Sequence, residues 1–134
     1  MARLGTLRYV FVRTFDTIAA GDSESQRTIV LDGDKYAYAI DGLLIKVQSI
    51  TNEYKFTIDF SLIDKMGVET KILQNFPYSL RGTRYNQNYI PLKKDTDYPI
   101  LPVKGEIYYK LSNTDTNDVS GVAIAVLGYP VVEL

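Results

Sequence analysis

Tyr54-Lys55-Phe56-Thr57-Ile58-Asp59-Phe60-Ser61-Leu62 alternates apolar and polar residues without a break. Side chains of an extended chain point to opposite faces in turn. Tyr54, Phe56, Ile58, Phe60 and Leu62 therefore share one face, and Lys55, Thr57, Asp59 and Ser61 the other. Such a strand has one dry and one wet side, as in an antiparallel sheet that covers a core. Asp64-Lys65-Met66-Gly67 follows as a turn, with Gly67 available for a positive φ, and Val68 to Leu73 resumes the alternation. The two runs read as a hairpin.

Working outward, Leu7 to Thr14 is rich in aromatic and β-branched residues and closes at Ala19-Ala20-Gly21-Asp22. Gln26 to Leu31 is the next strand, ended by Asp32-Gly33-Asp34. Tyr36, Tyr38 and Ile40 alternate with small residues up to a turn at Asp41-Gly42, and Leu43 to Ile50 leads into the Tyr54 strand through Thr51-Asn52-Glu53. Near the far end, Glu106 to Leu111 and Gly121 to Leu127 form a closing pair around the polar run Ser112 to Ser120. Gly128 and Pro130 are expected to end that pairing. Pro77, Pro91, Pro99 and Pro102 all fall between Asn75 and Lys104, and proline lacks a ladder donor, so this stretch reads as a long connection with at most short edge strands. The best helical candidate, Phe15 to Ala20, is little more than one turn. Turn chemistry recurs roughly every 8 to 12 residues, the spacing of a sandwich. About eight short strands are too many for one open sheet. The expected fold is an all-β antiparallel β-sandwich of jelly-roll type, with residues 1–134 as one domain, 1–8 as an N-terminal arm and 75–104 as a long proline-bearing loop region.

Composition bounds the function. With 134 residues the chain buries roughly two-thirds of its unfolded surface, so neither disulfide nor metal is needed for stability. A hydrophobic share of 46% against 23% charged residues is that of a globular protein and disfavours disorder. No apolar run approaches the roughly 20 residues that span a bilayer. The apolar patch Tyr9 to Val12 is broken at Arg13, so a secretory leader is not expected. The net charge of −1 removes the broad basic surface by which most nucleic-acid binders displace counterions. Cysteine, histidine and tryptophan are absent, which excludes thiolate nucleophiles, histidine bases, Ser-His-Asp triads and the usual zinc sites. No glycine-rich phosphate loop precedes a helix, and no cofactor is implied.

Several constellations remain. Asp32, Asp34 and Asp41 around Gly33 and Gly42 invite a calcium reading, but the spacing fails the EF-hand pattern and Asp-Gly pairs are ordinary turn formers. The same holds for Asn113, Asp115, Asn117 and Asp118. Carboxylates facing each other across a cleft would suit a glycosidase. Nearly all the acids fall in turns or on polar strand faces, and no enzyme activity is expected. The most informative stretch runs from Tyr78 to Tyr98, where Tyr78, Tyr85, Tyr89 and Tyr98 are interleaved with Arg81, Arg84, Lys93 and Lys94. Rigid rings supply contact area and guanidinium forks supply orientation, which suits an interface or ligand platform. The alternative is that the rings fold back over an open end of the sandwich. Stacking of single-stranded nucleic acid is a distant third at this charge.

The order of these features resembles small bacteriophage virion proteins of β-sandwich or jelly-roll type, the capsid decoration and minor capsid proteins. The likeness lies in the strand ending at Ala20-Gly21-Asp22, the Thr28 to Leu31 strand, and the pair Ile107 to Asn113 and Val122 to Gly128. It is a likeness of pattern across most of the chain. It implies a non-enzymatic virion protein without a cofactor that assembles as a homo-oligomer with other virion proteins; assembly in the host cytoplasm is expected, and the charge and the short apolar runs argue against nucleic acid or membrane as partners. The competing reading is a carbohydrate-binding or host-attachment module with Arg84, Tyr85 and Tyr89 as its platform.

Overall fold

The computed structural model describes residues 2–48, 52–82 and 88–133. They form ten strands: β1 (Ala2–Leu4), β2 (Arg8–Ile18), β3 (Ser23–Ile29), β4 (Ala37–Lys46), β5 (Glu53–Ile63), β6 (Glu69–Arg81), β7 (Asn88–Pro91), β8 (Ile100–Leu101), β9 (Glu106–Asn113) and β10 (Val119–Glu133). No helix occurs among the described residues, and the Phe15 to Ala20 segment continues β2 as far as Ile18.

The first sheet has six strands and the second four, ordered β3-β9-β5-β6. In the first sheet β1 and β2 follow each other along one side of β10, while β7 and β8 do so along the far side of β4. Its six strands are therefore four ribbons, β1/β2, β10, β4 and β7/β8. With the four of the second sheet they make eight ribbons, all neighbours antiparallel. The pairs β2·β10, β3·β9, β4·β7/β8 and β5·β6 nest inside one another along the chain. One long double-stranded ribbon is thus wrapped around a core, the topology of a jelly roll.

Phe56, Ile58 and Phe60 of β5, with Ile107, Tyr109 and Leu111 of β9, supply the inner side of the second sheet. Tyr38, Ile40, Leu43 and Ile45 of β4, with Ile124 and Val126 of β10, meet them from the first, and all are buried. The apolar side of Tyr54 to Leu62 thus faces the core as expected, whereas Ser61, expected on the wet side, is buried and donates to Glu69 at 3.3 Å. The β5–β6 turn forms at Asp64 to Gly67: Gly67 takes φ +86°, and the Asp64 carboxylate accepts bonds from Met66 N and Val68 N at 2.9 Å each.

Four expectations need correction. Asp41-Gly42 is no turn. The segments on either side form one strand, with Asp41 as the extra residue of a β-bulge where Leu127 pairs Gly42 and Gly128 pairs Ile40. Second, Gly128 and Pro130 do not end the last strand: β10 continues to Glu133. Pro130 O accepts Gly5 N at 2.7 Å, so the side of Pro130 without a donor faces the gap between β1 and β2, where no ladder bond is lost. Third, the connection after Asn75 starts later, because β6 runs through Pro77 to Arg81. As the outer strand of its sheet, β6 tolerates a proline, and β7 and β8 are the short edge strands expected beyond it. Fourth, residues 2–4 of the expected arm pair with Glu133, Val132 and Val131 of the same chain.

Candidate functional site

The bulge in β4 organises a cluster of polar and aromatic side chains on the surface. It turns Asp41 and Gly42 together onto the outer side of the first sheet, where β7 crosses them with Tyr89. A Cβ on Gly42 would lie 2.5 Å from Cζ of Tyr89 and 2.6 Å from the Ile90 carbonyl oxygen, so only glycine lets β7 approach this closely. The Tyr89 hydroxyl donates to Oδ2 of Asp41. Burial, that bond and the nearby negative charge raise the Tyr89 phenol above the ordinary tyrosine range.

Next to it, Tyr129 of β10 meets the edge of Tyr98, with ring centroids 5.6 Å apart and planes at 70°. Lys93 Nζ lies 5.0 Å from the Tyr98 ring centre, within cation–π reach. Local desolvation, with Asp41 second, raises the Tyr129 phenol. Three half-buried tyrosines, one carboxylate and one ammonium thus share one fixed patch, with Asp41 acting on both Tyr89 and Tyr129. Beside it on the same face runs a shallow apolar groove of about 260 Å³, lined by Tyr9 and Val12 of β2, Leu44 and Lys46 of β4, and Ala123 to Ala125 of β10.

The residues singled out from Tyr78 to Tyr98 do not form one platform. Tyr89, Lys93 and Tyr98 come together. Tyr78 lies on β6 in the other sheet, stacked on Phe76 with centroids 6.3 Å apart. Arg81, at the end of β6, pairs with its cross-strand partner Glu53 at 3.3 Å. Lys94 lines an adjoining cleft with Thr70, Lys71 and Asp97, a cleft that Tyr98 also borders. Arg84 and Tyr85 lie outside the described residues. The expectation missed Asp41, read as half of a turn, and Tyr129, read only as the end of the closing strand.

The oxygen-rich loops are occupied with holding the fold. Asp32 pairs with Arg8 at 3.7 Å, and Asp41 accepts from Tyr89. Asp115 takes Lys55 N through Oδ2 and Asn117 N through Oδ1, bonds that keep its carboxyl below the usual range, while Asp118 takes Ala20 N. Buried Asn113 donates to the carbonyls of Ile18 and Asn117, both at 2.9 Å. Among the described residues no group of three or more acidic side chains is placed to hold a metal ion.

On the far side of the molecule, bulges in β6 open a polar groove of about 370 Å³ over Asp59, Ser61, Tyr108 and Lys110. Asn75, at φ +45°, donates its N–H to Asp59 there.

No family model matches the chain, and no curated protein matches it. Among solved structures, it is similar to one of the Gx strain of infectious bursal disease virus, with TM-score 0.43 and 11% identity over 98% of this chain and 35% of the other. It is also similar to the VP2 subviral particle of that virus, with TM-score 0.35 and 13% identity over 97% of this chain and 35% of the other. The chain therefore spans about a third of those longer chains.

Proposed function

We propose that this chain is a non-catalytic structural subunit of a virion, a capsid decoration or minor capsid protein of a bacteriophage, which docks on copies of itself and on other shell proteins. The observation that carries this reading is the Tyr89–Tyr98–Tyr129 patch on the outer side of the first sheet. Tyrosine rings already held by Asp41, Lys93 and the β4 bulge lose little freedom on docking, so their contact area is available at low entropic cost. The neighbouring apolar groove extends that area. The patch combines aromatic bodies with polar rims, as interface centres do. Assembly would take place in the host cytoplasm and the finished protein would reside in the virion.

The test is co-sedimentation of the purified chain with shells that lack it, comparing the natural sequence with Lys93→Glu combined with Tyr98→Ala. The expected result is saturable binding by the natural chain and roughly tenfold or greater weakening in the variant, with the melting temperature held within about 2 °C. Binding that is unchanged in the variant rejects the patch as the docking surface.

A second reading is a carbohydrate-binding or host-attachment module. The polar groove favours it, since the Tyr108 ring beside carboxylates, lysines and amides suits a hydroxyl-rich ligand. Selective retention on a glycan array, lost in Tyr108→Ala, would support this reading over the first.

A further inference from the structure

Among the described residues, the outer edge of β2 carries backbone groups with no partner. At its start, Val10 is an extra residue opposite the Val126–Leu127 step of β10, and Val10 and Phe11 both face the core, as the two residues of a bulge do. The Val10 carbonyl points away from β10 and accepts Leu31 N at 2.9 Å. Beyond the bulge the ladder alternates. Phe11, Arg13 and Phe15 bond to β10, while the N–H and C=O groups of Val12, Thr14 and Asp16 point outward. At the other end the Ile18 carbonyl is taken by Asn113 Nδ2. The open stretch therefore runs from Val12 to Asp16, bounded at both ends by the molecule's own bonds, with Thr14 at its middle.

This edge is less protected than β6, its only charges between Val12 and Asp16 being the inward-turned Arg13 and Asp16 itself. It contains no proline, glycine or lysine, and no bulge between Val12 and Asp16, whereas β6 at the opposite side has Pro77 and a disrupted register. Val12 is 60% exposed and Tyr9 54%, so the outer face beside the edge is also apolar.

We infer that β2 pairs antiparallel with β2 of a second copy, about a two-fold axis through Thr14. This names the self-contact of the shell reading above and rests on that reading. Thr14 exchanges both backbone bonds with Thr14 of the second copy, and Val12 does so with Asp16. The register follows from the bounds of the edge. Centring on Val12 runs the second copy into Leu31, and centring on Phe15 directs Val12 at the occupied Ile18 carbonyl. Centring on Arg13 directs Asp16 at the occupied Val10 carbonyl. The Thr14 register instead brings Arg13, already 4.8 Å from the centre of its own Phe15 ring, opposite the second copy's Phe15. The first sheets of the two copies become one continuous sheet, and their apolar grooves lie side by side.

Because the chain has no cysteine, a single introduced thiol reports on this contact alone. Self-association is measured by light scattering for the natural chain and for Thr14→Lys, and Thr14→Cys and Lys65→Cys are each treated with a short bifunctional maleimide. Thr14 and Lys65 are both exposed, so all variants should fold. The expected results are a concentration-dependent dimer weakened roughly tenfold or more by Thr14→Lys, and cross-linking through residue 14 but not residue 65. Self-association that survives Thr14→Lys, with no preference for cross-linking at residue 14, overturns the edge pairing and leaves the shell reading standing. A chain that stays monomeric at every concentration also overturns it, and co-sedimentation with shells then decides the broader reading by itself.

Discussion

Ile58→Ala measures how far the β5 alternation determines the fold. Ile58 has no exposed surface and sits mid-strand, paired with Leu111 of β9 on one side and Phe76 of β6 on the other. The change removes three carbons from the packed space between the sheets. At about 0.8 kcal/mol for each buried methylene, the lost transfer energy is about 2.4 kcal/mol. A cavity term adds to this because β5 is hydrogen-bonded to β6 on one side and β9 on the other and cannot shift to close the gap, giving a total of about 3.5 kcal/mol. With an unfolding entropy of about 2.1 cal/mol/K for each of the 134 residues, that corresponds to a drop of roughly 12 °C in Tm. Urea unfolding followed by far-ultraviolet circular dichroism is the assay, with Lys55→Ala on the wet side of the strand as the control. The expected outcome is a lower midpoint at unchanged slope for Ile58→Ala and a shift within about 0.5 kcal/mol for Lys55→Ala. A loss below about 1 kcal/mol for Ile58→Ala, or equal losses for both, would refute the assignment of faces.

Three further outcomes follow from particular contacts. Gly42→Ala forces Tyr89 and the Ile90 carbonyl off β4, and should cost about 2 kcal/mol or more while weakening shell binding, as read by Tm and co-sedimentation together. Asn113→Ala leaves the carbonyls of Ile18 and Asn117 without their donor, and should cost about 1 to 3 kcal/mol in urea unfolding. Tyr38, Tyr89, Tyr109 and Tyr129 all have raised phenols, with burial the largest cause in each. Because the fold holds these protons more tightly than the unfolded chain, their contribution is complete below the ordinary tyrosine value of about 10 and is lost as pH rises beyond it. An alkaline titration of tyrosinate absorbance should therefore show an early group and a late group that ionises with unfolding, and one uniform transition near the ordinary value would contradict it.

The strands were legible where a local rule and the global fold agree. The dry and wet faces of Tyr54 to Leu62 and the turn at Asp64 to Gly67 follow from side-chain alternation and from Asp and Gly chemistry alone. The misreadings share a cause, which is that the same residues serve different local geometries. Asp41-Gly42 has the composition of a turn, yet it is a bulge in the pairing of β4 with β10, with Tyr89, far along the chain, lying against Gly42. Pro77 and Pro130 read as strand breakers, yet one lies on an outer strand and the other faces the gap between β1 and β2. The site was legible only in part. Tyr89, Lys93 and Tyr98 were visible as an aromatic and basic run, whereas Asp41 and Tyr129 join them through the pairing of β4 with β7 and β10, which no local pattern reports.

The claim on which the functional account depends is that this protein acts by lodging its first sheet against neighbours in a particle. Electron cryomicroscopy of particles that contain the chain tests it most directly. The account predicts repeated copies at symmetry-related positions, with Tyr89, Tyr98 and Tyr129 against an adjoining subunit. Copies whose tyrosine patch faces solvent while only the second sheet touches the shell would contradict it.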